Sequence, residues 1–140
     1  MRTGTSVLEV LIAVALITLL AGFAAPSLAA LRDRAAVQSA STELVSALAT
    51  ARHLAVARRT RTAVRLDDVR GTAIVIAYSD TIHRRDLGAA HRVTLEVTRD
   101  SIAYGPTGRG YGAANTRIIV SRGRAADTIT VSRLGRVRRG

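Results

Sequence analysis

The chain has 140 residues, a formal net charge of +11 and no cysteine. The lack of cysteine excludes a disulfide framework, a thiolate nucleophile and a cysteine-based zinc site. All 21 basic residues are arginine, against 10 acids, and such a surplus favours polyanions such as DNA or anionic lipid head groups.

The N-terminal part contains an apolar segment, Val10 through Leu31, without a charged side chain. As a helix rising about 1.5 Å per residue, it would span roughly 33 Å, about the thickness of the hydrocarbon core of a bilayer. We therefore predict a single-pass transmembrane helix. Arg2 places the N terminus in the cytoplasm by the positive-inside rule, although Arg32 and Arg34 on the far flank oppose this orientation.

Glu9 stands where the apolar segment begins. An ionised carboxylate in hydrocarbon costs at least a few kcal/mol unless it is paired. The nearest basic residue on its side of the segment is Arg2. One interpretation is therefore that a cation of another molecule pairs with the Glu9 carboxylate. The alternative is an ordinary signal anchor, in which Glu9 lies at the interface and reaches the head groups.

Gly4, two small hydroxyl residues and the segment Val7–Ile12, followed by an Ala/Leu-rich helix, resemble the class III signal of type IV pilins and pseudopilins. The resemblance implies that a prepilin peptidase cleaves after Gly4, removes residues 1–4 as a leader and methylates Thr5, where the family usually has phenylalanine. It also implies that Glu9 pairs with the N-terminal amine of a neighbouring subunit, and that residues 5–31 form the transmembrane and assembly helix.

The helical pattern continues past the apolar segment to about Arg59. Gly22 and Pro26 predict a kink, because proline removes a backbone donor and clashes with the preceding turn. Beyond Pro26, apolar residues recur every three or four positions, which predicts an amphipathic helix with Leu44 and Leu48 in the core.

After the helix the apolar period changes from 3.6 to 2, which predicts about six strands. The runs are 62–66, 72–78, 92–98, 102–104, 116–121 and 128–132. The polar segments Ser79–His91 and Gly105–Gly112 are predicted as loops. We therefore predict an α+β, pilin-like domain over residues 32–140, with the helix packed on an antiparallel sheet. The order of these elements resembles the GspH/FimT family over nearly the whole chain.

Catalytic motifs are absent from the sequence. No Gly-x-Ser-x-Gly elbow occurs, and the glycine-rich segment 105–112 lacks the ending of a phosphate loop. His83, Asp86 and His91 are the one candidate metal cluster, and solvated loop side chains are the simpler interpretation. We expect no enzymatic activity, no cofactor and no metal.

Arginine dominates the C-terminal segment. Gly135-Arg136-Val137-Arg138 resembles the Gly-Arg-x-Arg motif of DNA-binding FimT-like minor pilins. The resemblance implies DNA contacts through Arg136 and Arg138, and Arg139 and Arg124 of the same basic segment are further candidate DNA contacts. A solvated basic surface is the alternative.

The resemblance as a whole implies a minor pseudopilin that sits in the inner membrane with its C-terminal domain in the periplasm and then joins a filament. Its partners would be other pilin or pseudopilin subunits and the prepilin peptidase. A type II secretion pseudopilus is the first interpretation. The alternative is a minor pilin of a type IV pilus that binds DNA for uptake.

Overall fold

The computed structural model describes the backbone of residues 6–111 and 115–140, and the side chains of all of these except 23–26. The chain divides between Arg32 and Asp33 into two units. One long helix, α1 (Val7–Ala57), makes up nearly all of the described first unit and opens the second. The helix ends two residues before the predicted boundary.

The second unit adds nine strands and one short helix to α1. In chain order they are β1 Thr62–Asp67, β2 Thr72–Ala77, β3 Asp80–Asp86, α2 Leu87–His91, β4 Thr94–Val97, β5 Ser101–Tyr104, β6 Gly110–Tyr111, β7 Thr116–Arg122, β8 Ala125–Val131 and β9 Val137–Arg139. They form two antiparallel sheets, with strand orders β3-β2-β1-β5-β6 and β4-β7-β8-β9. The fold is therefore α+β, as predicted, but with two sheets.

The core lies where the C-terminal half of α1 meets the inward faces of both sheets. Leu44 and Leu48 are completely buried, which confirms the two core positions predicted from the helical period. Their neighbours on the same stripe are small, since Ala40, Ala47 and Ala51 are also buried. Beside these small residues, the strands contribute Val and Ile side chains to the core, for example Val64, Ile118 and Ile129.

The segment Ser79–His91 is not the loop that the sequence predicts. It forms β3 and α2. Every residue of β3 is exposed, so the strand has no alternation of apolar and polar residues, and pairing with β2 is what holds it. In α2, Leu87 is completely buried, and the Asp86 carboxylate accepts a hydrogen bond from the Ala89 N–H at 3.0 Å as an N-cap.

Two glycines allow α2 to lie against the β1–β2 turn. Gly71 has a φ of +65°, and a Cβ placed on it would lie 2.8 Å from the Gly88 Cα. The Gly88 N–H donates to the Gly71 carbonyl at 3.0 Å. No larger residue fits at this close backbone approach without a shift.

The six predicted strands correspond to β1, β2, β4, β5, β7 and β8, and the three further strands are short or exposed. β6 lies inside the predicted Gly105–Gly112 loop, where the Gly110 N–H donates to the Arg133 carbonyl at 3.1 Å. β9 lies in the arginine-rich C-terminal segment and pairs with β8. Both are too short for a period of two to show in the sequence.

Candidate assembly segment and basic surface

The N-terminal segment opens with a helix cap at Ser6. The Ser6 hydroxyl accepts a hydrogen bond from the Leu8 N–H at 3.3 Å, and its carbonyl accepts one from the Glu9 N–H at 2.9 Å. The spacing of Ser6 and Glu9 fits a capping box, a local pattern that was readable in the sequence and was missed there. The predicted processing residues, Gly4 and Thr5, lie outside the described residues.

Glu9 makes no contact with another described residue that would neutralise its charge. Its side chain is exposed and takes part in no hydrogen bond or ion pair within residues 6–111 and 115–140. The reciprocal capping-box bond to the Ser6 N–H is therefore not made. The carboxylate stands in the first helical turn, open to a cation from outside the described chain.

The apolar segment behind Glu9 is exposed throughout its described side chains, and Leu20, for example, keeps 69% of its surface. Thr18 donates its hydroxyl proton to the Val14 carbonyl at 2.8 Å, which satisfies this polar group inside the helix. Within the described part of the chain, α1 is the one helix long and apolar enough to cross a membrane by length and composition. An exposed apolar surface of this extent needs lipid or other subunits to cover it.

The predicted kink concerns Gly22 and Pro26. The helical backbone runs through both positions without a break. A bend in the helix axis is a separate property, so the kink stays a prediction.

The arginines predicted to contact DNA lie in two places. Arg124 is exposed in the turn between β7 and β8, and the others lie in β9 or just before it. Arg139 is engaged within the domain, because its guanidinium pairs with the Asp127 carboxylate and lies 3.4 Å from the Thr42 hydroxyl on α1. Arg136 and Arg138 are exposed, and their side chains form no ion pair among the described residues.

Strand register places two arginines in one row on the outer face of the second sheet. Arg138 in β9 and Arg117 in β7 both lie opposite Thr130 of β8, one on each side. Residues paired in this way point to the same face of a sheet. The Arg117 N–H also donates to the Thr98 hydroxyl at 3.0 Å, and a depression of about 440 Å³ beside this row is lined in part by Arg99. Arg117 and Arg99 were not among the predicted contacts, although the alternation in residues 116–121 places Arg117 on an outer face.

Other charged side chains hold elements of the domain together. Arg122 forms an ion pair with Asp33 at 2.9 Å and donates to the His91 carbonyl at 2.8 Å. The His91 Nε2 lies 3.0 Å from a Glu43 carboxylate oxygen. These contacts connect α1, α2 and β7, so they are structural.

The histidines of the candidate metal cluster have separate surroundings. His83 is exposed in β3, as expected of a solvated side chain. His91, in contrast, keeps only 19% of its side-chain surface and pairs with Glu43, because α2 lies against α1. Within the described residues, no group of three or more histidine, aspartate or glutamate side chains could hold a metal ion.

Comparison with known proteins gives one family and two solved structures. The family model described as type II transport protein GspH matches residues 40–135, which is more than half of the chain. A search of curated protein sequences found no match.

Both structural matches are crystal structures of the type IV minor pilin FimU of Pseudomonas aeruginosa strain PAO1. The first, in space group P21, has a TM-score of 0.64 and 18% sequence identity, and the match covers 75% of this chain and 88% of that one. The second, in space group P65, has a TM-score of 0.61 and 16% identity, with 74% and 91% covered. At this identity the likeness concerns the fold, and it confirms the predicted pilin-like architecture.

Proposed function

The chain belongs to the GspH family, and we propose that it is a minor pseudopilin, a non-enzymatic structural subunit of a type II secretion pseudopilus. The observation that carries the proposal is Glu9, which pairs with none of the described residues and stands at the start of an apolar segment whose described side chains are all exposed. A filament of such helices covers the apolar surface and supplies a cation for the carboxylate. The family description supports the secretion machine in particular.

In this proposal the chain is inserted in the inner membrane with residues 32–140 in the periplasm. A prepilin peptidase then removes residues 1–4, and the amine of Thr5 on one subunit pairs with Glu9 on a neighbour. The exposed apolar segment of α1 supports both membrane insertion and filament assembly, because lipid and then neighbouring helices can cover the same surface.

Intact mass tests the processing step. Co-expression with a prepilin peptidase should remove the mass of residues 1–4 and add one methyl group at Thr5. A Gly4→Val variant is the control and should keep its full length. An unshifted mass of the natural chain under conditions that process a known prepilin would contradict the proposal.

Filament incorporation tests Glu9. The variant Glu9→Val should insert in the membrane normally and be recovered with filaments at about a tenth or less of the natural level, because the loss of a charge-assisted pair costs roughly 1.5–3 kcal/mol. Glu96→Val removes a carboxylate from the exposed face of β4 and should incorporate normally. Equal incorporation of the two variants would refute the pairing role of Glu9.

A second candidate function is favoured by the outer arginine row. Arg117 and Arg138 flank Thr130 on one exposed face, with Arg136 one position before β9. Guanidinium groups spaced over one face of a sheet can bind phosphates of a nucleic acid. The likeness to FimU supports a type IV pilus as the setting for this alternative.

A further inference from the structure

A groove lies between the C-terminal strand and the second half of α1. It has a volume of about 520 Å³, and its lining includes Val45, Ala49 and Val56 of the helix and Val137 of β9. These helix positions recur at intervals of four and seven and so lie on one face. Val56 keeps 48% of its surface although it is apolar, so the groove is an uncovered hydrophobic feature of the domain.

The strand beside the groove has an open edge. Thr128 and Gly140 exchange both backbone hydrogen bonds, at 2.9 and 3.3 Å. In an antiparallel ladder, only every second residue of a strand forms backbone hydrogen bonds with the neighbouring strand. Arg138, two residues before Gly140, therefore bonds to β8, whereas the backbone N–H and C=O groups of Val137 and Arg139 point away from β8. Within residues 6–111 and 115–140 these groups meet no other strand, because β9 ends its sheet.

The dimensions of the groove suit an extended peptide. From Val45 to Val56 the helix advances roughly 17 Å, at about 1.5 Å per residue. Five residues of an extended strand cover about the same distance, at about 3.3 Å each. The strand runs along this part of the helix, since Gly135 also lines the groove and Arg139 reaches Thr42.

The charges around the groove select an acidic occupant. Arg52 and His53 line it, and Arg136 and Arg138 are exposed on the adjoining C-terminal segment. No aspartate or glutamate is among the described residues that line the groove. A second copy of this chain would bring a further net charge of +11 to a basic site, which disfavours self-association there.

From these observations we propose that the groove binds an extended acidic segment of a different protein subunit, which adds to β9 as a further strand of the sheet. Backbone hydrogen bonds to Val137 and Arg139 align the segment, apolar side chains on one face enter the groove, and carboxylates meet the arginines. This surface lies in the second unit and does not depend on Glu9 or on the type of filament.

The test uses the full chain in neutral detergent and a fluorescent, end-capped peptide of eight alternating valine and glutamate residues. The peptide should bind, and the same peptide with lysine in place of glutamate should bind at least about tenfold more weakly. Equal affinity for the two peptides, or no binding of either, would overturn the proposal.

A matched pair of variants locates the site. Ala49→Glu places a carboxylate in the groove and should weaken peptide binding about tenfold, whereas Ser46→Glu adds the same charge at an exposed position of the same helix that does not line the groove and should have little effect. Both positions are exposed, so both variants should fold. Similar effects of the two substitutions would contradict the location.

Backbone methylation of the peptide tests strand addition. Only alternate amides of an added strand face β9, so methylating all valine amides and methylating all glutamate amides should weaken binding unequally. Equal losses would refute strand pairing. If the natural chain forms a dimer and the Ala49→Glu variant does not, the groove binds a second copy of the chain. That result would also overturn the proposal.

Discussion

Tyr104 is a buried polar residue with an unusual environment. It is completely buried, and its hydroxyl has no hydrogen-bond partner among the residues that the structure describes. Burial raises the pKa of Tyr104 to about 12, and the nearby Arg52 guanidinium partly opposes this shift. The neutral form of the side chain is therefore strongly preferred in the folded state.

This environment predicts a loss of stability at high pH. An unfolded chain ionises its tyrosines near pH 10, whereas Tyr104 in the folded chain, with its pKa of about 12, keeps its proton. The contribution of Tyr104 to the free energy of unfolding is therefore complete below pH 10. It is lost between pH 10 and about 12, at about 1.4 kcal/mol per pH unit. Urea unfolding of the natural chain and of Tyr104→Phe should give similar free energies at pH 7 and diverge above pH 10. Parallel curves up to pH 12 would contradict this interpretation.

Residues differ in how far the sequence could predict their surroundings. The helical period places Leu44 and Leu48 in the core because a period depends only on local spacing. The side-chain contacts of Arg139 and His91 depend on partners far away in the chain, Asp127 and Glu43, that only the tertiary register brings near. Arg139 therefore looked like its exposed neighbour Arg138 in the sequence, although the structure shows it engaged.

At the scale of elements, α1 carries most of the core on its buried stripe. Leu48 lies on this stripe and is completely buried in the core, so Leu48→Ala should destabilise the second unit by roughly 2–5 kcal/mol through lost burial and a cavity. Leu134→Ala makes the same chemical change at a position that keeps 52% of its surface and should cost less than about 0.5 kcal/mol. Urea unfolding followed by circular dichroism compares the two, and a similar cost for both would show that α1 does not hold the core as described.

The strands that the sequence did not predict share a physical reason. A period of two appears only when one face of a strand is buried and the other is solvated. β3 has both faces exposed, and β6 and β9 have two and three residues. All three lie at sheet edges, where pairing with one neighbour is enough to define a strand. The failure to predict an edge strand matters most at β9, because its open edge and the adjoining groove could not be inferred from the arginine-rich sequence.

At the scale of the whole molecule, the net charge of +11 attracts any polyanion without defining a site. Exposed arginines occur on both sheets, for example Arg84 and Arg85 in β3 and Arg138 in β9. A nucleic-acid site differs from this general attraction in one measurable respect. Each phosphate bound by a specific side chain releases a counterion, so the contacts can be counted from the salt dependence.

The DNA alternative therefore predicts a difference between two double variants of equal charge. Binding of a short DNA duplex to the full chain in neutral detergent should weaken with salt, with about 0.9 added to the logarithmic slope for each phosphate contact. Arg136→Ala with Arg138→Ala should reduce that slope by roughly 2. Arg84→Ala with Arg85→Ala removes the same charge from the other sheet and should leave the slope nearly unchanged. If both double variants weaken binding equally, the outer row is a solvated basic surface, and the secretion pseudopilus is the better account of the chain.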